Sequence, residues 1–322
     1  MADTTITRAA NGVVSLNGEM ASKPESMLRL AVRRFLHHRM AVFGLILLTT
    51  IVLFITVGAL FVSEQYANTV DVMNRFAAPT PAHPFGTDQV GRDILARTIY
   101  GGQISLMIAV IAVSISMTLG TFVGLIAGFY NGTRFGWLDS ILMRLVEALL
   151  SIPTLILLLL LSRTLAGNTS TLLFLGRELS ATVVAIILII GFTGWMGLSR
   201  IVRSLVLSLK QQDFVLAARS MGARDGRIIF VHILPNCVAV IVVSATLAIG
   251  AAIITEAYLS FLGFGVMPPT ATWGNILQRA QDVLQRAWWM WMAPGFLIVL
   301  TVLAINFIGD GLRDALDPRM LA

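Results

Sequence analysis

The stretch DFVLAARSMGARDGRIIFVHILPN, residues 213–236, is a charged segment with strongly apolar stretches on either side. Its apolar residues recur at the spacing of one helix face. The residues predicted to share that face are Phe214, Ala217, Ala218 and Met221. Gly222 fits the stop of this helix, because glycine adopts the left-handed conformation at little cost. Asp225 fits the N-cap of a following helix, so the segment predicts two helices joined by a tight turn.

The chain as a whole has the composition of an integral membrane protein. Of its 322 residues, 57% are hydrophobic and 12% are charged, whereas a soluble domain usually carries about 25% charged residues. Its apolar runs are long enough to cross about 30 Å of hydrocarbon, and they predict an all-α fold with six transmembrane helices. The predicted spans are 40–62, 104–129, about 138–161, 181–199, about 236–256 and about 293–309.

The remaining segments differ from the spans in polarity and charge. The predicted division is a disordered cytoplasmic tail at 1–27, a basic juxtamembrane collar at 28–39, the first transmembrane helix at 40–62, an external (periplasmic) loop at 63–103 and a core domain at 104–322. The core domain holds the other five predicted transmembrane helices and the segment 213–236.

The distribution of basic residues predicts the orientation. With the N-terminus inside, the predicted cytoplasmic segments hold fifteen basic residues and the external segments hold seven. Lys and Arg collect in the cytoplasmic loops of membrane proteins, so we expect both termini and the segment 213–236 in the cytoplasm. The same bias accounts for the net charge of +6, so no nucleic-acid partner is needed to explain it. Membrane lipid is the expected surrounding of the chain.

Glycine, proline and charged residues within the predicted spans support further predictions. The glycines Gly120, Gly124 and Gly128 recur every four residues, which favours close helix packing within this chain over dimerisation. Pro153 predicts a kink in the third span. Three charged residues near the cytoplasmic end of that span favour an interhelical ion pair or snorkelling over a substrate site. They are Asp139, Arg144 and Glu147.

Several kinds of chemistry have no motif in this chain. No GxxxxGK[ST] stretch occurs, and neither of the two lysines, Lys23 and Lys210, follows a glycine. Without such a phosphate-binding loop the chain is not expected to hydrolyse ATP by itself. HExxH, paired CxxC and GxSxG motifs are absent too, the four histidines are dispersed, and the single Cys237 is expected to be inert packing. A metal site and an enzyme are therefore disfavoured, while a stand-alone channel or secondary transporter stays the alternative from another class.

Four segments resemble one family. Ala217-Ala218-x-x-x-Gly222 followed by the ending HILPN, 232–236, resembles the EAA loop of bacterial ABC importer permeases, and the ending is similar to that of the dipeptide/oligopeptide/nickel branch. Leu216 stands where the family's glutamate is common, and His232 where an isoleucine is often found. The segments that resemble DppC/OppC-like subunits are FGTDQVGRDILARTIYGGQISL (85–106), YLSFLGFGVMPPTATWGNIL (258–277) and NFIGDGLRDALDPR (306–319).

This resemblance implies a type I ABC importer permease fold in the bacterial cytoplasmic (inner) membrane. The implied partners are a homologous second permease (DppB/OppB-like), two ABC ATPase subunits, and a periplasmic or lipid-anchored solute-binding protein. ATP and magnesium would be bound by the ATPases, with no cofactor in this chain. The implied cargo is a di- or oligopeptide, with a nickel chelate, glutathione or another small solute as alternatives.

The resemblance also assigns candidate site residues. The implied ATPase-coupling residues are Phe214, Leu216, Ala217, Ala218, Arg219, Met221, Gly222, Ala223, Arg224 and Asp225, with the loop ending at His232, Leu234, Pro235 and Asn236. Pro235 is expected to break the helix before the fifth span. The candidate periplasmic contacts are Gly86, Thr87, Asp88, Gly91, Arg92, Asp93, Trp273 and Gly274.

A purely structural role stays the alternative to partner contact for residues 86–93. In that case the glycines form a turn and an aspartate caps the next helix. Trp273, Trp288, Trp289 and Trp291 are predicted to form an interfacial aromatic belt. Glu256 is expected either to face the translocation path or to form an ion pair.

Overall fold

The computed structural model describes residues 27–165, 171–174 and 177–316. The tail predicted at 1–27 therefore lies outside the described residues, apart from Met27. The α-helices are α1 (Met27–His37), α2 (Arg39–Phe61), α3 (Glu64–Asn68), α4 (Ile94–Tyr130), α5 (Gly136–Leu150), α6 (Thr154–Leu165), α7 (Ala181–Leu209), α8 (Asp213–Ser220), α9 (Asp225–Arg227), α10 (Leu234–Phe261), α11 (Trp273–Ala280) and α12 (Trp289–Leu316).

Shorter elements join these helices. A π-helix, Ile228–Ile233, connects α9 to α10, and single 3-10 turns lie at Val72–Asn74 and Gln281–Val283. Between α6 and α7 the chain forms a two-stranded antiparallel hairpin that the sequence did not predict, with β1 (Thr171–Phe174) paired to β2 (Arg177–Ser180). The rest of the described architecture is helical, so the predicted all-helical fold is confirmed.

The membrane-spanning helices agree with the predicted six spans when one bent pair is counted as a single span. Within the described residues, five helical stretches are long and apolar enough to cross a membrane, and they are Arg39–Phe61, Ile94–Tyr130, Ala181–Leu209, Asp225–Phe261 and Trp289–Leu316. The third predicted span is instead the pair α5 and α6, which meet at 87°. Pro153 lies at this break. Proline interrupts a helix because it lacks an N–H and its ring clashes with the carbonyl of the preceding turn. The break is far sharper than the predicted kink.

α4 begins ten residues before the boundary predicted for the external loop. Asp93 caps it, since its carboxylate accepts the amide of Ala96 at 2.8 Å. With 37 residues, α4 is about 55 Å long at 1.5 Å per residue, well beyond the hydrocarbon core. The loop predicted at 63–103 thus ends where α4 starts, at Ile94, and its last ten residues are helical.

The predicted glycine stripe on α4 packs within this chain, as expected. A Cβ at Gly124 would lie 2.6 Å from the carbonyl oxygen of Ser199, and one at Gly128 would lie 2.9 Å from that of Arg203. Only glycine allows backbones to approach so closely. α4 and α7 form the most extensive helix pair of the described structure, and the largest apolar core lies between them, α10 and α12.

The bundle has two ends that the loops define. Lys210 after α7 donates to the carbonyl of Asn131 after α4 at 2.7 Å, and Asp314 near the end of α12 lies 3.5 Å from His38 before α2. We call this the α8 end, because α8 begins three residues after Lys210. The opposite end, the α11 end, holds the loop from 62 to 93 and the segment from 262 to 288.

Candidate functional site

The segment 213–236 lies at the α8 end and folds as two helical pieces with a tight turn between them. α8 is followed by Gly222, whose φ is 79°. The amide of Ala223 then donates to the carbonyl of Ala218 at 3.1 Å, which is the hydrogen bond that closes a helix with a left-handed glycine. The helix stop predicted at Gly222 is confirmed.

The start of the second piece differs from the prediction. Asp225 is the first helical residue of α9, and the extended residue before it, Arg224, takes the N-cap position without a side-chain hydrogen bond. Asp225 is therefore not the cap. Its carboxylate instead lies in the first turn, where negative charge stabilises a helix through its dipole.

α8 presents two unlike faces. Val215 is fully buried and Ala218 is 3% exposed, and Val215 belongs to a core cluster with α4, α7 and the π-helix, of which Val206 and Ile228 are members. Ala218 is thus buried against its own bundle and is not accessible to a partner, although it lies one helical turn from Phe214 as predicted. A periodicity count could not separate these positions, because Val215 and Ala218 also recur at helical spacing.

The outer face of α8 is apolar and accessible. Phe214 is 41% exposed, Leu216 is 47% exposed and Met221 is 81% exposed. Ala217 is exposed beside them. The charged side chains around this face are all exposed too, and they are Asp213, Arg219, Arg224, Asp225 and Arg227. We call Phe214, Leu216, Ala217 and Met221 the α8 face.

A recess of about 330 Å³ lies beside the α8 face. Leu216 and Arg219 line it from α8, and the Arg219 guanidinium carbon lies 5.9 Å from the centre of the Phe129 ring. Lys210 lines its floor, and burial lowers the pKa of this amine, which still donates to the carbonyl of Asn131. The end of α7 that leads into α8 is therefore bonded to the turn after α4.

The end of the segment is one continuous helix. α9, the π-helix and α10 run together as a single stretch, Asp225–Phe261. His232 and Leu234 are half-buried and Pro235 and Asn236 are exposed. The predicted break at Pro235 is wrong, because the π-helix Ile228–Ile233 leads directly into α10, which carries the proline at its first positions.

An ion pair joins α5 to α7 near the α8 end. Arg203 donates from Nε to Asp139 Oδ1 at 2.5 Å and from Nη2 to Oδ2 at 2.7 Å. Asn131 donates to the same carboxylate at 2.7 Å. The interhelical ion pair expected for the charged residues of the third span is thus present for Asp139.

At the α11 end, residues 86–93 form a closed turn. Gly86 and Gly91 have φ of 71° and 82°. Asp88 binds Arg92 through Nη2 at 2.6 Å, and Asp93 caps α4 while its other oxygen lies 2.9 Å from His83 Nδ1. The structural alternative for this loop is therefore realised.

These loop residues offer little surface to a partner. The buried candidates for periplasmic contact are Gly86, Thr87, Asp88, Gly91, Arg92, Asp93, Trp273 and Gly274. A contact between these eight residues and a binding protein stays a prediction. In this conformation none of their side chains is exposed. Exposed apolar residues lie nearby instead, with Met73 at 93% and Val72 at 63%.

Glu256 forms a buried polar cluster that the sequence did not reveal. It is fully buried and accepts hydrogen bonds from Ser105 at 3.0 Å and Ser260 at 2.8 Å, and the Thr272 side chain bonds to it as well. Ser105 Oγ also accepts the amide of Trp273 at 3.2 Å. Neither predicted role holds in this structure: Glu256 has no cation partner among the described residues and no exposed surface. We call Ser105, Glu256, Ser260 and Thr272 the Glu256 cluster.

The tryptophans divide into two groups. Trp288 is 49% exposed and Trp291 is 40% exposed, as an interfacial belt requires. Trp289 is 8% exposed and Trp273 is fully buried, with Trp273 Nε1 donating to the carbonyl of Thr98 at 2.9 Å. The belt prediction is wrong for these two, which hold α12 and α11 against α4 and its preceding loop.

Among the described residues no group of three or more His, Cys, Asp or Glu side chains could hold a metal ion. Cys237 is buried in the apolar cluster under α8. The arrangement therefore offers an exposed apolar surface at one end, a buried polar cluster at the other, and the 37-residue helix Asp225–Phe261 between them.

Comparisons with known proteins agree with this architecture. The family model described as "Binding-protein-dependent transport system inner membrane component" matches residues 120–322, and the model described as "N-terminal TM domain of oligopeptide transport permease C" matches residues 26–79.

Two relatives and one solved structure illustrate the match. A protein of Brucella suis biovar 1 named as a peptide permease is 44% identical over 291 residues, 90% of each chain. The dipeptide transport system permease protein DppC of Alkalihalophilus pseudofirmus is 39% identical over 293 residues, 91% of this chain and 90% of its own. A chain of the inward-facing MetNI methionine ABC transporter aligns with a TM-score of 0.51 and 22% identity, covering 67% of this chain and 95% of its own.

Proposed function

The chain belongs to the family of binding-protein-dependent transport system inner membrane components, and from this premise we propose that it is the permease subunit of an ATP-driven ABC importer. Its cargo is a di- or oligopeptide, moved across the bacterial cytoplasmic membrane. The names of its relatives support the cargo, and the apolar spans support the membrane location.

The single observation that carries the coupling proposal is the α8 face. A small helix whose inner side is fixed in the core, with Val215 and Ala218 buried, moves only with its bundle. Its outer side exposes Phe214, Leu216 and Met221, and an accessible apolar patch ringed by charges is the anatomy of a protein interface. We assign this surface to a cytoplasmic ATPase subunit.

Phe214 is the anchor of this interface. Aromatic side chains that enter a pocket of the partner usually dominate binding energy, and Phe214 stands next to small Ala217, which lets the partner approach the helix backbone. Leu216 replaces the glutamate that is common in the family, so at this position the contact is apolar instead of ionic. The exposed arginines 219, 224 and 227 then supply the electrostatic complement to an acidic ATPase surface.

The helix Asp225–Phe261 gives the coupling a mechanical route. It starts next to α8 and reaches the Glu256 cluster at the α11 end, a length of about 55 Å for its 37 residues. Displacement of α8 by ATP-driven closure of the ATPases therefore moves Glu256, and with it Ser105 and the α11 segment. Alternating access is the expected result of this motion.

The proposed assembly has a defined composition. It contains this chain, a homologous second permease, two ATPase subunits that bind ATP and magnesium, and a periplasmic or lipid-anchored solute-binding protein. The chain itself binds no nucleotide. Both termini and the α8 end lie in the cytoplasm, an orientation that the basic residues support.

Replacement of Phe214 by Asp tests the function. In proteoliposomes containing the complete transporter, we expect Phe214→Asp to abolish peptide uptake and binding-protein-stimulated ATP hydrolysis, because a charge would be buried in the apolar contact. Phe230→Asp is the matched control, since Phe230 is also exposed, at 57%, on the neighbouring π-helix and outside the α8 face. Normal uptake by Phe214→Asp would contradict the coupling role.

A further inference from the structure

The helix α1, Met27–His37, is a short basic helix directly before the first membrane span. Residues 27–39 contain four arginines, two histidines and no acidic residue. The span helix α2 begins at Arg39, after the single residue His38, which caps it. Neither the α8 face nor the Glu256 cluster involves α1, so the proposed coupling leaves this helix without a role.

The inner side of α1 packs against the end of α12. A Cβ at Gly311 would lie 3.3 Å from the ring of Phe35 and would clash with Ala41 in the first turn of α2. One turn further along α12, Asp314 lies 3.5 Å from His38. Because Phe35 and Ala41 contact the same residue of α12, α1 lies beside the start of α2 and does not extend away from the bundle.

This position places α1 at the boundary between hydrocarbon and lipid headgroups. α2 has 23 residues, about 35 Å at 1.5 Å per residue, against a hydrocarbon thickness of about 30 Å. The span therefore has little length to spare, and its exposed first residue, Arg39, belongs at the edge of the hydrocarbon or beyond it. A helix that lies at the level of Ala41 is in contact with the headgroup region.

The outward side of α1 combines an apolar pair with a basic row. Val32 and Leu36 are 51% and 57% exposed, and their spacing of four residues puts them on one side of the helix. Arg29 and Arg33 have the same spacing and are both exposed. At 3.6 residues per turn the arginine row is offset from the apolar pair by about 60°, so the two rows are neighbours. We call these four residues the α1 face.

We propose that the α1 face is a binding site for anionic phospholipid in the leaflet at the α8 end. Val32 and Leu36 enter the acyl chains, while Arg29 and Arg33 extend to the headgroup, as in helices that lie in a membrane interface. Guanidinium donates charge-assisted hydrogen bonds to phosphate. A zwitterionic headgroup carries the same phosphate together with a cation, which the arginines repel, so the site selects a lipid with net negative charge.

Charge and chain continuity select lipid as the occupant. Each basic residue near an anionic membrane surface contributes about 1 kcal/mol, which is about fivefold in binding, and residues 27–39 contain no acidic side chain that would offset this attraction. The chain continues into α2 with further exposed apolar side chains, Met40 at 48% and Phe43 at 53%. The α1 face is therefore adjacent in the chain to a surface that suits the hydrocarbon.

Fluorescence quenching by brominated lipids tests the site in proteoliposomes that contain the complete transporter. Leu36→Cys, labelled with a small thiol-reactive fluorophore, places the probe within the α1 face, and the buried Cys237 gives a low background. We expect brominated phosphatidylglycerol to bind beside this probe at least about fivefold more tightly than brominated phosphatidylcholine, as measured by varying the mole fraction of each. Ile46→Cys, 61% exposed on α2, is the matched control and should be quenched equally by both lipids.

Charge substitutions in the Leu36→Cys chain test the arginine row. We expect Arg29→Gln together with Arg33→Gln to remove the preference for phosphatidylglycerol. Arg134→Gln removes an exposed arginine from the turn between α4 and α5 at the same end and should leave the preference unchanged. Salt at about 1 M, where the Debye length is about 3 Å, should reproduce the effect of the double substitution.

Two results with the arginines in place would overturn the proposal. A probe at position 36 that neither lipid quenches would show that a protein partner covers α1. Equal quenching by the two lipids would show that α1 contacts the membrane without recognising charge. A preference that persists in the double substitution would likewise exclude Arg29 and Arg33 as its source.

Discussion

Glu256 is a buried carboxylate surrounded by hydroxyl groups, without a cation in the described part of the chain. Ser105 on α4, Ser260 on α10 and Thr272 before α11 all bond to it. A buried charge or polar group is tolerated when its hydrogen bonds are made and is costly when they are not. The cluster therefore fixes three segments that are far apart in sequence.

Replacement of Glu256 by leucine should lower the stability of the assembled transporter. The hydroxyls of Ser105 and Ser260 would lose their acceptor in a dry site, at a cost of about 1–3 kcal/mol for each group left unsatisfied. Glu256→Gln keeps one acceptor oxygen and should lose clearly less. The stability of both variants is measured by thermal unfolding of the purified complex in detergent, followed by tryptophan fluorescence. A leucine variant as stable as the unmodified protein would refute the stabilising role of the cluster.

At the scale of helices, the contact of α4 with α7 depends on glycine. A Cβ at Gly124 meets the carbonyl oxygen of Ser199 at 2.6 Å, and backbone cannot move aside as a flexible side chain can. We expect Gly124→Ala to cost about 1–3 kcal/mol, the usual penalty for overpacking. Gly197→Ala on α7 is the control, because nothing lies within 4 Å of its Cβ. Equal melting temperatures for the two variants would contradict the packing argument.

The turn after α8 depends on glycine for a different reason. The site of a Cβ at Gly222 is open, but its φ is 79°, which costs an L-residue about 1–2 kcal/mol. Gly222→Val should therefore displace the α8 face and lower the amount of peptide taken up per ATP hydrolysed, whereas Gly222→Asn, which tolerates this φ better, should retain coupling. The ratio of peptide uptake to ATP hydrolysis is the measurement, and equal ratios for Val and Asn would exclude a conformational role.

Helix existence and turn chemistry were predictable from the sequence because both are local. The stop at Gly222, the cap at Asp93 and the glycine stripe on α4 each follow from a few neighbouring residues. Hydropathy alone placed the start of α4 ten residues too late, since it falls at the polar residues of the first turns, whereas the capped turn kept as the alternative for residues 86–93 is compatible with the observed start. In the fold those residues have tertiary partners: Arg97 donates to Asn68 at 3.1 Å and Gln103 to the carbonyl of Ile55 at 2.7 Å.

The errors within the candidate site have the same origin. The inward direction of Ala218 depends on Val206 and Ile228, which belong to other elements. The continuity of the helix through Pro235 depends on the π-helix before it. The sequence identified the coupling segment through its resemblance to a family, but which of its side chains remain accessible is a property of the packed bundle.

For the whole molecule, the orientation in the membrane follows from charge and has a direct test. Cleavable tags added to both ends of the chain should be removed by protease in inside-out vesicles and protected in right-side-out vesicles. Met73→Cys in the external loop, at a position 93% exposed, should show the opposite accessibility to a membrane-impermeant reagent. An even number of spans requires both ends on one side, so cleavage of one tag only would exclude six spans.

The Glu256 cluster also constrains how this chain can change over evolutionary time. Ser105, Glu256, Ser260 and Thr272 satisfy one another's hydrogen bonds, so a substitution at one of them leaves the others with unmatched groups. We expect these positions to covary among relatives, with an apolar residue at 256 accompanied by apolar or small residues at 105 and 260. Covariation between positions as distant in the chain as 105 and 256 would then reveal, from sequences alone, a contact that is buried inside the folded protein.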